Sequence, residues 1–395
     1  MKIGIYGGTF DPIHRGHITA AQAAAQQLGL DLLLLIPASI PPHKALPEGG
    51  ADAAQRLEMA TLATAELSCP AQVLDVEVRR QGKSYTADTL RTLRRQYPED
   101  ELWLLMGTDM FLSLQDWHEP QEILRLVRVA AFSRTGDPEQ QRFARQKAYL
   151  EETFGAQVTV VENPHVVDIS STRLRQLLPE GREYLPEAVY GYILRQRLYG
   201  THADLKHLTP EELRPIALSF LKPKRMPHVL GTEQEAIRLA RRYGADETDA
   251  RIAALLHDCT KKLDMEQQLA LCRRYDIRLD GLEQHALKLL HAKTGAAVAR
   301  DLFGVKDAVY EAIRWHTPGK PDMTLLEKVN YLADYIEPNR DFPGVERLRR
   351  AVYDDLDKGL LMGLSDTIDE MERMGNPVHH DTLEARDFLL RGEAK

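Results

Sequence analysis

Two histidines stand three residues apart near the start of the chain, inside the segment GGTFDPIHRGH that spans residues 7–17. Where a helix begins at this point, His14 and His17 present both imidazoles to one side, close to the partial positive charge of the helix N-terminus. The leading glycines let the backbone approach a ligand closely, and the threonine adds a hydroxyl. This set of groups predicts a polyphosphate site. A lone histidine at this place would more often be a solvated surface residue. The glycines, the threonine and the two histidines occurring together make that interpretation less plausible.

A second set of phosphate-binding groups lies in DISSTRLR, residues 168–175. Ser171 and Thr172 would place hydroxyls at a helix start, and Arg175 would place a guanidinium on its first turns. Hydroxyls, free backbone N–H groups and guanidinium groups together favour a phosphate site. The same residues also make an ordinary capped helix with exposed arginines, and the segment by itself leaves both interpretations open.

Histidines concentrate in the second half, where nine of the 14 lie after residue 200. The dipeptide His257-Asp258 ends an apolar helical segment, and His228 and Asp334 lie elsewhere in the same half. Imidazoles and carboxylates on separate helices of a bundle can converge on a metal ion. A single histidine or aspartate in such a place is more often a hydrogen-bonded structural residue, whereas the ordered series His, His-Asp, Asp favours a metal site.

The elements that must position the first two sets alternate along the first half. Short apolar runs predict strands and longer mixed segments predict helices, with strands at 2–7, 32–37, 73–78, 102–107, 127–132 and 157–162 and helices at 17–28, 52–67, 87–97 and 138–154. This alternation predicts an α/β fold, a doubly wound parallel sheet. Ligands bind at the carboxyl ends of the strands in such a sheet, so the loop after the first strand is where chemistry is expected.

The second half predicts helices and no convincing strand. A Thr-Pro-Glu-Glu start at residues 209–212 carries consistent helix-start signals. We predict a domain boundary at the polar joint 200–204, which separates domain 1–200 from an all-α domain 205–395. Helices are predicted at 210–221, 233–243, 247–258, 265–275, 283–302, 305–315, 324–336 and 345–373.

Composition excludes several classes of protein. The net charge is −8, with 21 basic against 25 acidic residues up to position 200 and 30 against 34 after it, so no basic face for nucleic acid or for an anionic membrane is indicated. The longest aliphatic run, Leu32 to Ile36, is far shorter than the ~20 residues that span a bilayer. The three cysteines are too few, and odd in number, to indicate a disulfide framework. The N-terminal residues do not have the apolar pattern of a signal peptide. We expect a cytoplasmic protein.

The first-half motifs resemble those of nucleotidyltransferases of the His-x-Gly-His type, and within them bacterial nicotinate mononucleotide adenylyltransferase, the NadD family. The resemblance covers residues 2 to about 199 and implies a Rossmann-like domain that transfers the adenylyl group of ATP, with Mg²⁺, to nicotinate mononucleotide without a protein nucleophile. It implies charge stabilisation by His14, His17, Thr9, Ser171, Thr172 and Arg175, and nucleotide binding by Gly7, Gly8, Phe10, His43, Lys44, Thr86, Asp109, Trp117 and Arg134.

Two details of this resemblance stay open. Trp117 is expected to stack on the pyridine ring, and it is also a plausible core residue. The segment FSRTG at residues 132–136 departs from the family, which more often has an arginine followed by proline, and this puts the role of Arg134 in doubt.

The second half resembles the YqeK family of HD-domain proteins over residues 208 to about 392, above all in LADYIEPNRDFPGV. The resemblance implies symmetrical hydrolysis of diadenosine tetraphosphate to two ADP with bound iron, although Mn²⁺, Zn²⁺ or Co²⁺ would suit the same ligands. It implies His228, His257, Asp258 and Asp334 as metal ligands, Lys261 as a catalytic residue, and Arg225, Lys262, His291, His316, Thr317 and Arg340 around the phosphates.

Several points about the second half remain undecided. His291 and His316 could complete a second metal site or simply touch phosphate. The loop at 375–380 is either a lid over the nucleotide or a surface turn with two solvated histidines. The leading hypothesis is a bifunctional enzyme that binds small nucleotides and neither nucleic acid nor membrane, and a homo-oligomer is compatible with it. In the alternatives, the second half is a non-hydrolytic nucleotide sensor or hydrolyses another nucleotide such as an alarmone.

Overall fold

The computed structural model describes residues 1–40, 49–80, 83–133, 137–163 and 166–392. The chain divides into two compact units, Met1–His202 and Ala203–Lys395. Within the described ranges, no helix combines the length and the apolar character that crossing a membrane requires.

The first unit is built on a six-stranded parallel sheet in the order β3-β2-β1-β4-β5-β6. The strands are β1 (Lys2–Gly8), β2 (Leu32–Pro37), β3 (Ala71–Val73), β4 (Glu101–Met106), β5 (Arg128–Ser133) and β6 (Val158–Glu162). Ile3 of β1 pairs with Leu32 on one side and with Leu102 on the other. The strand order reverses between β1 and β4, and a ligand crevice is expected at the carboxyl ends of strands at such a point. The predicted doubly wound fold is confirmed.

Nine described helices accompany this sheet. They are α1 (Arg15–Leu28), α2 (Ala53–Ala63), α3 (Val76–Arg79), α4 (Thr86–Gln96), α5 (Thr108–Leu112), α6 (Pro120–Leu126), α7 (Asp137–Phe154), α8 (Ser171–Leu177) and α9 (Glu187–Gln196). Helix α1 buries its alanine-rich face and ends at Gly29, whose φ of 62° lies in the left-handed region that glycine adopts readily. It starts directly after the loop that follows β1.

The predicted strand at 73–78 is wrong over most of its length. Strand β3 ends at Val73, and the chain then turns into the short helix α3. Alternating valines suggested a strand, but Glu77 in their midst is buried and accepts a hydrogen bond from the Thr89 hydroxyl at 2.8 Å. A tertiary contact therefore outweighs the local pattern.

The second unit is helical throughout its described residues, which confirms the predicted all-α domain. Its helices are α10 (Pro210–Leu218), α11 (Met226–Tyr243), α12 (Glu247–Leu256), α13 (Met265–Arg274), α14 (Leu287–Phe303), α15 (Asp307–Trp315), α16 (Leu325–Ile336), α17 (Val345–Asp354), α18 (Leu356–Arg373) and α19 (His380–Leu390). One buried core joins residues of α11, α12, α16, α17 and α18.

Two of the predicted helices differ from the observed ones, and one observed helix was not predicted. Helix α11 begins seven residues before the predicted position 233, because Pro227 occupies its first turn, where a missing N–H costs nothing. The predicted helix 345–373 is broken at Asp355, whose extended backbone and side chain cap α18. Helix α19 was not predicted.

Candidate functional site

The first candidate site is a cavity of about 390 Å³ beside the carboxyl ends of β1 and β4. Nine of the predicted site residues line it: Gly7, Gly8, Thr9, Phe10, His17, Thr86, Trp117, Ser171 and Arg175. Both predicted phosphate-binding segments therefore meet in one cavity, although they lie about 160 residues apart in the chain.

The rings of His14 and His17 are in contact at the N-terminus of α1, with centroids 3.8 Å apart and planes tilted by 39°. His17 lines the cavity, whereas His14 is buried behind it. The backbone N–H of His14 donates to Nδ1 of His17 at 3.2 Å, so the proton of a neutral His17 ring is on Nε2. Burial lowers the pKa of His14 to about 4 and lowers the pKa of His17 well below its usual value. Both rings are therefore neutral at pH 7, and His17 can donate through Nε2–H.

The approach of the two segments depends on Gly16. A Cβ atom at this position would lie 3.0 Å from two atoms of the His14 ring and 3.2 Å from the carbonyl oxygen of Val167. A side chain here would crowd the residues just before α8. Gly16 therefore lets the histidine loop and the 168–175 segment pack together.

Polar side chains hold the loop after β1 in place. Arg56 is fully buried and donates to the carbonyl oxygens of Thr9 at 2.9 Å and of Ser39 at 3.0 Å. Ser171 donates to the carbonyl oxygen of Pro12 at 2.9 Å, and Arg175 donates to that of Asp11 at 2.5 Å. The arginine of α8 thus reaches the cavity while it is tied to the loop.

Asp11 and Tyr199 are functional candidates that the sequence analysis did not identify. Asp11 is 2 % exposed, and its Oδ1 accepts hydrogen bonds from the Tyr199 hydroxyl at 2.6 Å and from the backbone of Ala51 at 3.1 Å. No local pattern signals this contact, because 188 residues separate the aspartate from the tyrosine.

A second group of aromatic side chains lines the cavity. Tyr85, Trp117 and His118 line it, and the rings of Tyr85 and His118 lie 4.4 Å apart. Trp117 also packs against the main apolar core of the unit, and its stacking on the pyridine ring stays a prediction. Glu77 lines the same wall, and burial raises the pKa of its carboxyl group.

Five predicted residues lie elsewhere or cannot be placed. Asp109 is exposed on α5 and Thr172 is exposed on α8, and neither lines the cavity. His43, Lys44 and Arg134 lie outside the described residues. Their roles stay predictions.

The second candidate site brings all four predicted metal ligands together. Nε2 of His228 lies 2.9 Å from Oδ1 of Asp334 and 3.4 Å from Nε2 of His257. Nε2 of His257 lies 3.4 Å from Oδ2 of Asp258. Helices α11 and α16 and the end of α12 supply these side chains.

Backbone carbonyl oxygens orient two of the imidazoles. Nδ1–H of His257 donates to Ala254 at 2.7 Å, and Nδ1–H of His316 donates to Ile313 at 2.6 Å. Because a carbonyl oxygen can only accept, the proton is on Nδ1, and in a neutral ring Nε2 presents a lone pair.

His291, His316, Lys261 and Thr317 form the adjoining wall. Nε2 of His291 lies 3.1 Å from Nε2 of His316, 2.9 Å from Nζ of Lys261 and 3.2 Å from Oδ1 of Asp258. The Thr317 hydroxyl lies 3.1 Å from Nε2 of His316. His316 can thus act as a ligand as well as a phosphate contact.

Cations flank the carboxylates. Arg225 donates to Oδ2 of Asp258 at 2.5 Å, and Arg340 donates to Oδ1 of Asp334 at 2.7 Å. Lys262 is half-buried beside Lys261. The site therefore holds positive charge that can meet a polyphosphate.

The donor set fits a divalent cation. Two groups of three side chains place ligand atoms within 4.8 Å of one another: His228, His257 and Asp334, and His257, Asp258 and His316. Burial lowers the pKa of His316 well below its usual value, which keeps this ring neutral. Although burial alone would raise it, the nearby His228 side chain holds the pKa of Asp334 well below its usual range. Among the described residues, Oδ1 of Asp258 has no hydrogen-bond donor in good geometry, although it is buried. Neutral imidazoles with ionised carboxylates are ligands for Fe, Mn, Zn or Co.

Two findings go beyond the sequence analysis here. Glu337 is 1 % exposed and lies 3.0 Å from Nδ1 of His228, a contact that was not predicted. In the loop 375–380, His379 is buried and 3.1 Å from Asp280, whereas His380 is exposed. The alternative of a surface turn with two solvated histidines therefore does not hold for His379, because Asp280 and Glu283 lie beside its ring.

Comparisons with known proteins match each half of the chain, with its own candidate site, to a different family. Residues 5–177 match the family described as cytidylyltransferase-like, and residues 225–339 match the HD domain. A "Probable nicotinate-nucleotide adenylyltransferase" of Gloeobacter violaceus is 43% identical over 209 residues, which cover 51% of this chain and 98% of that protein. A "Bis(5'-nucleosyl)-tetraphosphatase, symmetrical" of Halalkalibacterium halodurans is 42% identical over 183 residues, which cover 44% of this chain and 95% of that protein.

A solved structure is also similar to the second half. It is described as a predicted HD superfamily hydrolase involved in NAD metabolism from Clostridium acetobutylicum, with 40% sequence identity and a TM-score of 0.46, and the match covers 47% of this chain and 98% of that one. The two resemblances drawn from the sequence motifs are confirmed by the sequence comparisons.

Proposed function

Because the chain belongs to the nicotinate-nucleotide adenylyltransferase family over its first half and to the symmetrical bis(5'-nucleosyl)-tetraphosphatase family of HD proteins over its second half, we propose that it is a bifunctional enzyme. The first activity makes nicotinate adenine dinucleotide from MgATP and nicotinate mononucleotide. The second hydrolyses diadenosine tetraphosphate to two ADP. The observation that carries the proposal is that each unit holds its own converging set of phosphate-binding side chains.

The transferase needs no protein nucleophile. A phosphate oxygen of the mononucleotide attacks the α-phosphorus of ATP, the bond from that phosphorus to the bridging oxygen breaks, and pyrophosphate leaves. Catalysis is then positioning and charge stabilisation. His17, Ser171 and Arg175 line the cavity, where Nε2–H of His17 and the guanidinium of Arg175 would donate to the developing charge, while the Ser171 hydroxyl donates to Pro12 and holds the loop. His14 supports His17 from behind.

The second aromatic group of the cavity suits the nicotinate ring. Trp117 and the Tyr85–His118 pair offer flat faces to a heteroaromatic cation. Thr86 begins helix α4, whose first backbone N–H groups can meet the nicotinate carboxylate. The resemblance assigns His43, Lys44 and Arg134 to the phosphate of the mononucleotide.

In the second unit, His228, His257, Asp258 and Asp334 would hold the divalent cation, and His316 is near enough to join them. When bound, such a cation polarises a phosphoryl oxygen and makes water more acidic. Arg225, Arg340, Lys261 and Lys262 neutralise the polyphosphate, and Thr317 and His291 orient it. Water adds to one of the two central phosphorus atoms, and the oxygen that bridges them leaves with the other ADP.

Product chromatography on the full chain tests both activities. One tube holds the protein with Mg²⁺, ATP and nicotinate mononucleotide, and the other holds it with Mn²⁺ and diadenosine tetraphosphate. We expect nicotinate adenine dinucleotide with pyrophosphate in the first tube and ADP in the second, and a chelator should stop the hydrolysis. Absence of the dinucleotide contradicts the first assignment. Tetraphosphate that binds but persists would make the second unit a nucleotide sensor, and cleavage of an alarmone in its place would change the substrate.

A further inference from the structure

Glu337 is a buried carboxylate that the proposed hydrolysis does not use directly. It directly follows α16, three residues after Asp334, and is 1 % exposed. Its Oε1 lies 3.0 Å from Nδ1 of His228, and its Oε2 accepts from the backbone N–H of Asn339 at 2.7 Å and from the Asn339 side-chain amide at 2.9 Å. A buried charge needs such partners, and here one of them is a candidate metal ligand.

The contact with Glu337 places a proton on Nδ1 of His228, while a second carboxylate, that of Asp334, lies at the opposite nitrogen. A carboxylate can only accept, so Nδ1 is protonated and donates to Glu337. The opposite nitrogen, Nε2, then faces Oδ1 of Asp334 at 2.9 Å and Nε2 of His257 at 3.4 Å. Glu337 therefore directs the correct atom of His228 at the ligand cluster.

The surrounding backbone is shaped to hold this carboxylate. Gly231 lies on α11, three residues after His228, and a Cβ atom there would come within 2.1 Å of Oε2 of Glu337. Arg349 donates to the carbonyl oxygens of Ile336 at 2.9 Å and of Glu337 at 2.7 Å. The carboxylate is thus held by His228 of α11 and by Asn339, and α17 holds the backbone of the same residue.

We propose that Glu337 is the positioning residue for His228: it holds the ring so that Nε2 is the ligand atom. This inference rests on the divalent-cation site of the proposed function. Carboxylates that orient a ligating histidine typically contribute about 10–100-fold to metal affinity. His257 and His316 are oriented differently, because backbone carbonyl oxygens accept their Nδ1–H groups. Replacing a side chain does not remove those acceptors, whereas replacing Glu337 removes the acceptor of His228.

The first test is the metal affinity of Glu337→Gln in the full chain, with Mn²⁺ alone as the probe in competition with a chelator. Glutamine has one acceptor oxygen, which the two Asn339 donors already require, so its amide nitrogen faces Nδ1 of His228. We expect about 10–100-fold weaker binding. The matched control is Glu235→Gln, on helix α11 together with His228. Glu235 is 4 % exposed and accepts a hydrogen bond from Tyr353 without touching a candidate ligand. The metal affinity of this variant should equal that of the wild type.

A second variant displaces the carboxylate without removing it. Gly231→Ala forces Oε2 of Glu337 to move, so affinity should fall in the same direction, and the double variant should lose no more than the single Glu337→Gln variant. Circular dichroism on every variant separates weakened binding from loss of fold. Wild-type affinity in a folded Glu337→Gln protein overturns the proposal, and so does an equal loss in Glu235→Gln.

A spectroscopic measurement tests the orientation without metal. In ¹⁵N-histidine spectra of the metal-free chain, with His228 assigned by comparison with His228→Asn, we expect a proton on Nδ1 of His228 that disappears or shifts in Glu337→Gln. An unprotonated Nδ1 in the wild type overturns the proposal. If the wild type takes up no Mn²⁺, the proposed metal site fails, and this spectrum still decides whether Glu337 orients the ring.

Discussion

The surroundings of each imidazole in the two sites set its charge and the ring nitrogen that carries its proton. In the first unit, burial keeps His14 and His17 neutral, so His17 acts as a hydrogen-bond donor rather than as a charge. In the second unit, carbonyl oxygens and Glu337 fix the protons on Nδ1, which turns Nε2 of three rings toward the ligand cluster. The same side chain could therefore donate a proton in one unit and offer a lone pair to a cation in the other.

His17→Ala tests the donor role. Loss of one preorganised donor at developing charge typically costs on the order of 10²–10³ in turnover, so dinucleotide synthesis should fall by that factor while tetraphosphate hydrolysis is unchanged. Steady-state rates of both reactions measure the effect. The control is His207→Ala, an exposed histidine remote from both sites in sequence, which should leave both rates intact. Near-normal synthesis by His17→Ala would contradict the assignment.

The pKa of His14, which burial lowers to about 4, predicts how stability depends on pH. The unfolded chain binds this proton near pH 6.5, so between pH 6.5 and about 4 it holds more protons than the folded chain does. The free energy of unfolding of the first unit should therefore fall as the pH drops through this range, by up to about 3 kcal/mol for this residue.

Urea unfolding of Trp315→Phe measures this, because the remaining indoles, Trp103 and Trp117, are both in the first unit. Adding His14→Gln should flatten the dependence, and an unchanged slope in that variant would contradict the neutral buried ring.

At the level of elements, helix α19 is anchored at its first turn by charge. His379 is its N-cap, and its ring lies 3.1 Å from Asp280 and 3.6 Å from Glu283, which Lys293 also contacts at 2.5 Å. The hydrogen bond to Glu283 raises the pKa of His379. Burial would raise the pKa of Glu283, but His379 and Lys293 outweigh it and lower this pKa to about 2.

These shifts predict a stability window for the second unit. The raised pKa of His379 stabilises the fold below pH 6.5, and this contribution is lost as the pH rises through the folded value. The lowered pKa of Glu283 stabilises it above pH 4.5, and this contribution is lost as the pH falls toward 2. His379→Ala should cost about 1.5–3 kcal/mol at pH 6 and clearly less at pH 9. Thermal melts of the second unit measure it.

His380→Ala is the matched control for this prediction. The neighbouring ring is exposed, so its loss should have little effect at either pH. An equal cost of His379→Ala at both values would show that the ring packs without using its charge.

At the scale of the whole molecule, every described residue of each candidate site lies within one unit. The cavity of the first site is lined by residues from Ile5 to Arg175, and the ligand cluster runs from Arg225 to Arg340. Each unit also has a buried core of its own. A chain of roughly 190–200 residues is long enough for independent folding.

We therefore expect fragments 1–202 and 203–395 to fold and act separately. The first should make nicotinate adenine dinucleotide and the second should cleave diadenosine tetraphosphate, each at a rate within about threefold of the full chain, a difference smaller than 1.4 kcal/mol. Cooperative unfolding and product chromatography of each fragment measure this. Loss of both activities on cutting, with recovery when the fragments are mixed, would contradict independence.

The sequence by itself determined the classes of element and the chemistry of the sites. The alternation of strand-like and helix-like segments was enough to predict the parallel sheet, because it is compatible with few other folds. Helical patterns without strand-like segments were enough to predict the helical second half. Residue types and their order were enough to select candidate site residues, because phosphate and metal ions require particular donors. These candidates are His14, His17 and Arg175 in one half and His228, His257 and Asp334 in the other.

Only the tertiary structure decided how those groups are held. Glu77 overrides a strand pattern, Tyr199 reaches Asp11 across 188 residues, and Glu337 orients His228 across 109. Such partners are chosen by distance in space, and an isolated carboxylate or tyrosine has no periodic signature in the chain. Burial likewise sets the pKa of His14, because desolvation depends on what the folded chain packs around the ring.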